Sequence, residues 1–401
     1  MVDLSVELSD VKFENPILAS PGPPTDNLRR VRKCVKYGVG GIVFKTAVSD
    51  SLKVMRRWPR PRFKLLRWKP VKASSVPDCF VLYSIEQAYR GDIEAYCKEL
   101  RMVRDSVEVP VGGSIACTSI DEWISIARKV EETGIDFLEV DISCPHEPEQ
   151  EKKTFSKMVY EVTRELSRNL SIPIVPKLTF QVEDLVEVAK EADRSGASWI
   201  TVANRLLGID IDVENAKPIM HGSYAGIGGP WSIYYGLRWI SEIASEVAIP
   251  VSASGGVMNS EDIIKYLMVG AKSVQICTVI IVKGYKVIDE LLLGLKKFLE
   301  ANGYSTVSEI VGKALPNIIP IGEVEREPPV TAEVDSSLCK GCGVCLLRCQ
   351  YEAISMANGK AIIDKDKCDG CGLCVELCPF KAIRMVKLPD NVGREAPHRA
   401  K

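Results

Sequence analysis

Eight of the fourteen cysteines fall in one pattern near the C-terminus. Cys339-x-x-Cys342-x-x-Cys345-x-x-x-Cys349 recurs 29 residues later as Cys368-x-x-Cys371-x-x-Cys374-x-x-x-Cys378-Pro379. Three thiolates at this spacing wrap three corners of a cubane, and the fourth cysteine of each run ligates the other cluster. One 4Fe–4S cluster would therefore take Cys339, Cys342, Cys345 and Cys378, and a second Cys349, Cys368, Cys371 and Cys374. Gly341, Gly343, Gly370 and Gly372 are expected to relieve crowding where backbone passes close to inorganic sulfur. Gln350 follows Cys349 where such runs usually have proline, which bears on turn rigidity and not on ligation. Zinc is the competing reading, but zinc sites draw on CxxC pairs, not on two CxxCxxC triplets with a trailing cysteine. One-electron transfer is thus a function of this segment whatever the rest of the chain does.

A second set of chemical residues is spread over the first 280 positions. Lys45-Thr46, Asp141–His146 and Lys177-Leu178-Thr179 each close a short apolar run. Two turns follow later runs, Ser254-Gly255-Gly256-Val257 and Gln275-Ile276-Cys277-Thr278. Taken singly, each has a plain structural reading: a turn, a salt-bridge partner, an inert thiol. Taken in order, they describe a phosphate-bearing cofactor held by backbone N–H groups, with two lysines aimed at it and the Cys144 thiol nearby.

The elements that must position them are eight Val- and Ile-rich runs: 16–20, 41–45, 109–115, 137–143, 172–178, 199–203, 249–254 and 273–277. Amphipathic stretches such as Val182–Ser195 separate them. Continuous apolar strands alternating with helices mean parallel strands buried on both faces. Eight such units predict a (β/α)8 TIM barrel, with a doubly wound open sheet as the alternative. The barrel is expected over residues 1–315, with Val287–Ala301 and Val307–Leu315 as closing helices. A proline-rich linker over 316–331, an α+β two-cluster ferredoxin domain over 332–386 and a polar tail over 387–401 complete the α/β chain.

Composition narrows the class. A net charge of −1 gives no bulk attraction for nucleic acid or membrane. The first ten residues lack a basic start and an apolar core, and the most apolar stretch is too short to span a bilayer. A cytoplasmic location is the expectation, and a reducing compartment suits metal ligation better than disulfides.

The first 315 residues resemble the class 1 dihydroorotate dehydrogenase and dihydropyrimidine dehydrogenase family, which binds FMN. The resemblance rests on Asp141–His146, similar to the family's N-[IL]-S-C-P-[NH] loop. Lys45-Thr46, Pro59–Arg62, Lys177–Thr179, Asn204, Gly226–Pro230, Leu237–Trp239 and Gly255-Gly256 support it. The fused arrangement resembles that of bacterial NAD-dependent dihydropyrimidine dehydrogenases. The resemblance implies that Cys144 is the catalytic acid/base. Backbone at Gly255, Gly256, Cys277 and Thr278 would hold the FMN phosphate, and Lys177 would lie against the flavin N1–C2 region. Ser20, Lys45, Thr46, Asn204, Gly228 and Gly229 would complete the cofactor site, with Asp141, His146, Asn204 and Arg205 facing the substrate.

Several positions depart from that pattern. Asp141 stands where the family has asparagine; an amide donates and accepts, whereas a carboxylate only accepts. Arg205 replaces threonine, and segments 72–80 and 117–123 lack the family's substrate-binding asparagines. Lys53–Lys72 holds nine Lys and Arg and no acid, with Trp58 and Trp68 interleaved. It reads either as a site for an anionic group or as a solvated loop. Reduction of a pyrimidine C=C bond, the same chemistry on an anionic enone-type substrate, and an electron-transfer subunit with a retired barrel are the three readings. No GxGxxG follows a strand. Electrons would then come from a separate NAD(P)H- and FAD-binding flavoprotein subunit or a ferredoxin, and the resemblance also implies an oligomer.

Overall fold

In a computed structural model, residues 2–72, 75–85, 88–142, 155–326 and 328–388 are described. The chain divides into two compact units, Met1–Ile318 and Ile319–Lys401. Among the described residues no helix is long and apolar enough to cross a membrane.

The first unit is built on eight parallel strands: β1 (Ile17–Ala19), β2 (Gly41–Val43), β3 (Val111–Ala116), β4 (Phe137–Val140), β5 (Ile174–Thr179), β6 (Ile200–Asn204), β7 (Val251–Ser254) and β8 (Ser273–Ile276). Each falls on one of the eight apolar runs. β1 pairs with both β8 and β2, and β2 pairs with β3, so the sheet closes on itself. That closure excludes the open doubly wound sheet. The helices between strands are α1 (Leu28–Lys36), α2 (Ile93–Arg104), α3 (Ile120–Glu131), α4 (Phe155–Asn169), α5 (Leu185–Arg194), α6 (Ile233–Ala244) and α7 (Ser260–Met268). α8 (Thr278–Lys283) and α9 (Val287–Ala301) follow β8.

Local sequence sets the helix starts. Asn27, Asp92, Ser119, Asp184 and Asn259 each accept a backbone N–H from the first turn of the helix they precede. Such caps satisfy donors that the helix itself leaves unpaired. Val307–Leu315, read as a closing helix, is instead a 3-10 turn at Val307–Ile310 followed by another at Leu315–Asn317. Gly312, at φ 72°, and Pro316 interrupt the pattern.

The bottom of the barrel is aromatic. The hairpin formed by Val6–Leu8 and Val11–Phe13 brings Phe13 against Phe137, with ring centroids 6.1 Å apart. Phe137 also packs against Trp199 at 5.0 Å. A Cβ at Gly112 would lie 2.2 Å from the Phe137 ring, so glycine at the start of β3 is the counterpart of that bulk.

Two long insertions, after β2 and after β6, build a second sheet that the sequence did not announce. Its four strands run in the order Leu206–Gly208, Ala225–Gly228, Val81–Ser84, Phe63–Leu66, all antiparallel. The basic segment 53–72 is therefore structured in part: a 3-10 helix spans Asp50–Arg56 and Phe63–Leu66 is the edge strand. Trp58 lies between the guanidinium groups of Arg62 and Arg90, 4.1 and 3.9 Å from its ring centre. Arg56 pairs with Asp50 and the Val48 carbonyl. These arginines serve the insertion's own packing, while Lys53, Arg57, Arg60, Lys64, Arg67, Lys69 and Lys72 are exposed.

In the second unit, β9 (Val330–Val334) pairs with β12 (Ile383–Lys387), and β10 (Ile354–Ala357) pairs with β11 (Lys360–Ile363). α10 (Leu373–Glu376) lies between them in sequence. β9 begins inside the stretch expected to be linker, because Val330 and Thr331 pair with Val386 and Lys387.

Phe137→Ala should lower stability by about 3–5 kcal/mol through the cavity left under the barrel. Urea unfolding followed by tryptophan fluorescence checks this; a change below about 1 kcal/mol would show that the aromatic plug is dispensable.

Candidate functional site

Side chains alternate along a strand, so Phe137, Glu139 and Asp141 share one face of the β4 segment. They rise in three tiers through the barrel: apolar at the base, charged in the middle, and open to a cleft at the top.

The middle tier is a closed polar network. Glu139 is fully buried and Lys177 is 3% exposed. Lys177 Nζ donates to Glu139 Oε1 at 3.1 Å, Gln275 Oε1 at 3.2 Å and Ser20 Oγ at 3.3 Å. Glu139 Oε2 accepts from Gln275 Nε2 at 2.7 Å and Thr201 Oγ1 at 3.1 Å. Sequence reading found Lys177 and Ser20, took Gln275 only as part of a turn although it lies on β8, and missed Glu139 and Thr201. The signal was there: a carboxylate and an amide inside otherwise apolar strands, Phe137–Val140 and Ser273–Ile276, need partners across a barrel interior.

Above this tier the strand ends open into one cleft enclosing about 1330 Å3, its mouth included. The cleft gathers every described cofactor candidate: Ser20, Lys45, Thr46, Lys177, Asn204, Gly228, Gly229, Gly255, Gly256, Cys277 and Thr278. Asp141 and Arg205 line it too. Cys144 and His146 lie outside the described residues. Segment 117–123 turns away from the cleft and caps α3, where Glu122 accepts from Thr118 and Ser51.

One end of the cleft is backbone. Gly256 sits at φ 76°, and a Cβ there would lie 2.4 Å from the Ile233 nitrogen. Only glycine lets the β7–α7 turn pass under the start of α6. Ser232 Oγ closes this end by donating to the Gly229 carbonyl at 2.9 Å. Beside it, Trp231 Nε1 is buried in the cleft wall without a hydrogen-bond partner among the described residues. A buried donor of this kind asks for an acceptor from a bound group.

The other end is side chain. Asn204 Nδ2 donates to Asp141 Oδ1 at 2.6 Å. Burial pushes the Asp141 carboxyl up from its ordinary 3.8 to about 6, with Glu139 acting in the same direction and Lys177 and Lys45 against it. Below about pH 6 Asp141 therefore holds a proton, and a protonated carboxyl donates as an amide does. Arg205 is bonded to Ser84 Oγ. Its guanidinium lies along the glycines of Ala225–Gly228: a Cβ at Gly226 would meet Arg205 Cζ at 2.8 Å.

In the second unit the cysteines surround two cavities. Cys339, Cys342, Cys345 and Cys378 line one, and Cys349, Cys368, Cys371 and Cys374 the other, with Cys345 touching both. The sets match those read from spacing. Among the described residues no group of three His, Cys, Asp or Glu converges as a single ion would require. The two halves repeat in backbone as well as in sequence. Glu352 and Lys381, each three residues after the last cysteine of its run, take φ 51° and 48°. Two of the four glycines have a close approach within the chain itself. A Cβ at Gly341 would lie 2.1 Å from the Gly359 carbonyl and one at Gly370 2.6 Å from that of Val330. At these two positions the crowding is with the protein's own backbone, whereas a Cβ at Gly343 or Gly372 would meet nothing within 4 Å.

Residues 3–299 match the family model for dihydroorotate dehydrogenase, and residues 332–385 match the 4Fe-4S dicluster domain. The chain belongs to the dihydroorotate dehydrogenase family. It is similar to the NAD-dependent dihydropyrimidine dehydrogenase subunit PreA of Escherichia coli (strain K12), at 29% identity over 364 residues, covering 86% of this chain and 85% of that one. It is also similar to the catalytic subunit of dihydroorotate dehydrogenase B (NAD(+)) from Pyrococcus abyssi, at 29% over 314 residues, covering 78% and 99%. The corresponding subunit from Methanothermobacter thermautotrophicus is 29% identical over 315 residues, covering 78% and 98%. Within the dihydroorotate dehydrogenase family the chain is thus an oxidoreductase that carries an iron–sulfur dicluster domain.

Between pH 3.8 and about 6 the folded protein binds a proton at Asp141 that the unfolded chain has released. Stability contributed by Asp141 is present at low pH and is lost as pH rises through about 6. Asp141→Asn should remove that slope and gain stability relative to wild type at pH 8 but not at pH 4. Urea unfolding of both proteins at the two pH values checks this; parallel curves would contradict it.

Proposed function

We propose that this protein is an FMN- and iron–sulfur-dependent oxidoreductase acting on an activated C=C bond, most like a dihydropyrimidine dehydrogenase. The observation that carries this is the single cleft: backbone glycines at one end, a held lysine in its floor, and a protonatable carboxyl with an amide at the other. Gly255, Gly256, Cys277 and Thr278 would hold the cofactor phosphate through backbone, and Trp231 Nε1 is a further donor. Lys177 presents positive charge from the floor, while Ser20, Lys45, Thr46, Asn204, Gly228 and Gly229 complete the walls. Bound there, FMN supplies hydride exchange with one carbon of the C=C bond.

The chain's own residues do the rest. Cys144 holds the proton exchanged with the neighbouring carbon; a thiol serves as acid near neutrality without much tuning. Asp141 and Asn204 orient a carbonyl of the substrate, with Arg205 beside them, and the family resemblance assigns His146 to the substrate as well. Eight cysteines hold two 4Fe–4S clusters, Cys339, Cys342, Cys345 and Cys378 for one and Cys349, Cys368, Cys371 and Cys374 for the other, which pass electrons one at a time. A separate NAD(P)H-oxidising flavoprotein subunit, or a ferredoxin, is the proposed electron donor. A second reading keeps this chemistry and changes the substrate to an anionic one. It is favoured by Arg205 in the cleft and by the exposed cations on the insertion over residues 53–72.

Protein purified without oxygen and reduced with dithionite should regain its flavin colour when uracil or thymine is added. Cys144→Ser should slow that step by roughly 10²–10⁴, the usual contribution of a general acid, with flavin content unchanged. Protein without bound FMN would sink the proposal, and recoloration by neither pyrimidine would turn it to the anionic substrate. Cys378→Ser should remove about half of the iron and leave the second cluster's electron paramagnetic signal in place; loss of all iron would mean that the clusters are not independently held.

A further inference from the structure

We propose that Glu139 is a positioning residue that fixes the charge and location of Lys177, and through Lys177 sets how strongly the site favours reduced over oxidised flavin. This rests on the FMN reading above and goes beyond it, because Glu139 touches neither cofactor nor substrate.

The geometry is a saturated one. An ammonium has three protons, and Lys177 Nζ meets three acceptors: Glu139 Oε1, Gln275 Oε1 and Ser20 Oγ, all within 3.3 Å. Glu139 in turn accepts from Lys177, Gln275 and Thr201. Four strands, β4, β5, β6 and β8, contribute one member each, and Ser20 follows β1. The lysine therefore cannot swing toward a cofactor without giving up one of these hydrogen bonds, and the shortest of them is to the Glu139 carboxylate. Its charge reaches the cleft floor from a fixed point, already balanced by a carboxylate one bond length of hydrogen bonding below.

That balance has a direction. Reduction adds negative charge to a flavin, so an uncompensated cation beneath it favours the reduced form, and a compensating carboxylate opposes that preference. Glu139 thus holds down the midpoint potential that Lys177 alone would raise. The same pair acts on Asp141 in opposite senses, Lys177 favouring its ionised form and Glu139 disfavouring it. Removing the charge at Glu139 should accordingly move two distant readouts at once. A residue that served only to fill space would move neither.

The test is spectroelectrochemical titration of the flavin in the full-length protein, wild type against Glu139→Gln, which keeps the shape and removes the charge. The expected result is a rise in midpoint potential, together with a downward shift of the pH at which Asp141 ionises, read as the pH dependence of urea stability. The double variant Glu139→Gln/Gln275→Glu returns a carboxylate to the same lysine nitrogen and should bring the potential back toward wild type. A flavin potential unchanged in Glu139→Gln overturns the proposal. Should Glu139→Gln not fold, Gln275→Glu carries the test by adding a second carboxylate at the same lysine nitrogen: a fall in potential supports the proposal, and an unchanged potential overturns it. Flavin content of the wild-type protein is measured first and separately, so that an absent flavin counts against the FMN reading and not against the role of Glu139.

Discussion

The barrel of this protein is organised around one buried ion pair, Lys177 with Glu139. Two charges removed from water cost several kcal/mol each unless every remaining donor and acceptor is met. Here they are met by Gln275, Thr201 and Ser20, drawn from strands on all sides of the interior. The requirement fixes strand register: a slip of one residue on β4 would turn Glu139 outward and leave the lysine alone. It also separates the molecule's two tasks. Below the pair, Phe13, Phe137 and Trp199 supply apolar burial; above it, strand ends and loops are free to carry chemistry.

Much of this was legible in the sequence, for a physical reason. Parallel strands buried on both faces must be continuously apolar, and so all eight were visible as Val- and Ile-rich runs. Their C-terminal ends then named Lys45, Asp141, Lys177, Asn204 and the Gly255-Gly256 turn, and one cleft collects them. What escaped was whatever depends on partners far away in sequence. Glu139 and Gln275 are 136 residues apart and explain each other only when the barrel closes. The four-stranded insertion sheet escaped because its strands are only three or four residues long and one of them, Phe63–Leu66, is embedded in the basic segment 53–72, which reads as a loop. The segment after Thr306 misled in the opposite way, its apolar spacing suggesting a helix that Gly312 and Pro316 do not permit.

The second unit was more legible still, because its logic is covalent spacing and not packing. Two cysteine runs encode two cavities, and the exchange of the fourth cysteine places Cys378 with the first triplet and Cys349 with the second. The close approaches at Gly341 and Gly370 needed the structure. Gly341 and Gly370 are required by carbonyls of the chain itself, so they fix the fold of the loops before any cluster is considered. Gln350 in place of proline leaves the repeat intact: the residues after it follow the same path as those after Pro379, down to the left-handed residue three positions beyond the cysteine.

The two ends of the cleft differ in what sets them. At the Gly255–Gly256 end, shape comes from backbone and from the close approach of α6, which tolerate little substitution. At the Asp141 end, shape comes from side chains on strand tips and insertions, where one residue can change without disturbing the barrel. Two departures from the family pattern, Asp141 and Arg205, line the cleft. A carboxyl that replaces an amide need not abolish carbonyl recognition when burial lets it keep its proton, since it then donates as the amide would. The same site would therefore favour a carbonyl at lower pH and repel it at higher pH, a sensitivity that asparagine would not give. On the function proposed here, the side-chain end would adjust which substrate is accepted, while the held lysine and the glycine cradle would keep the redox chemistry the same.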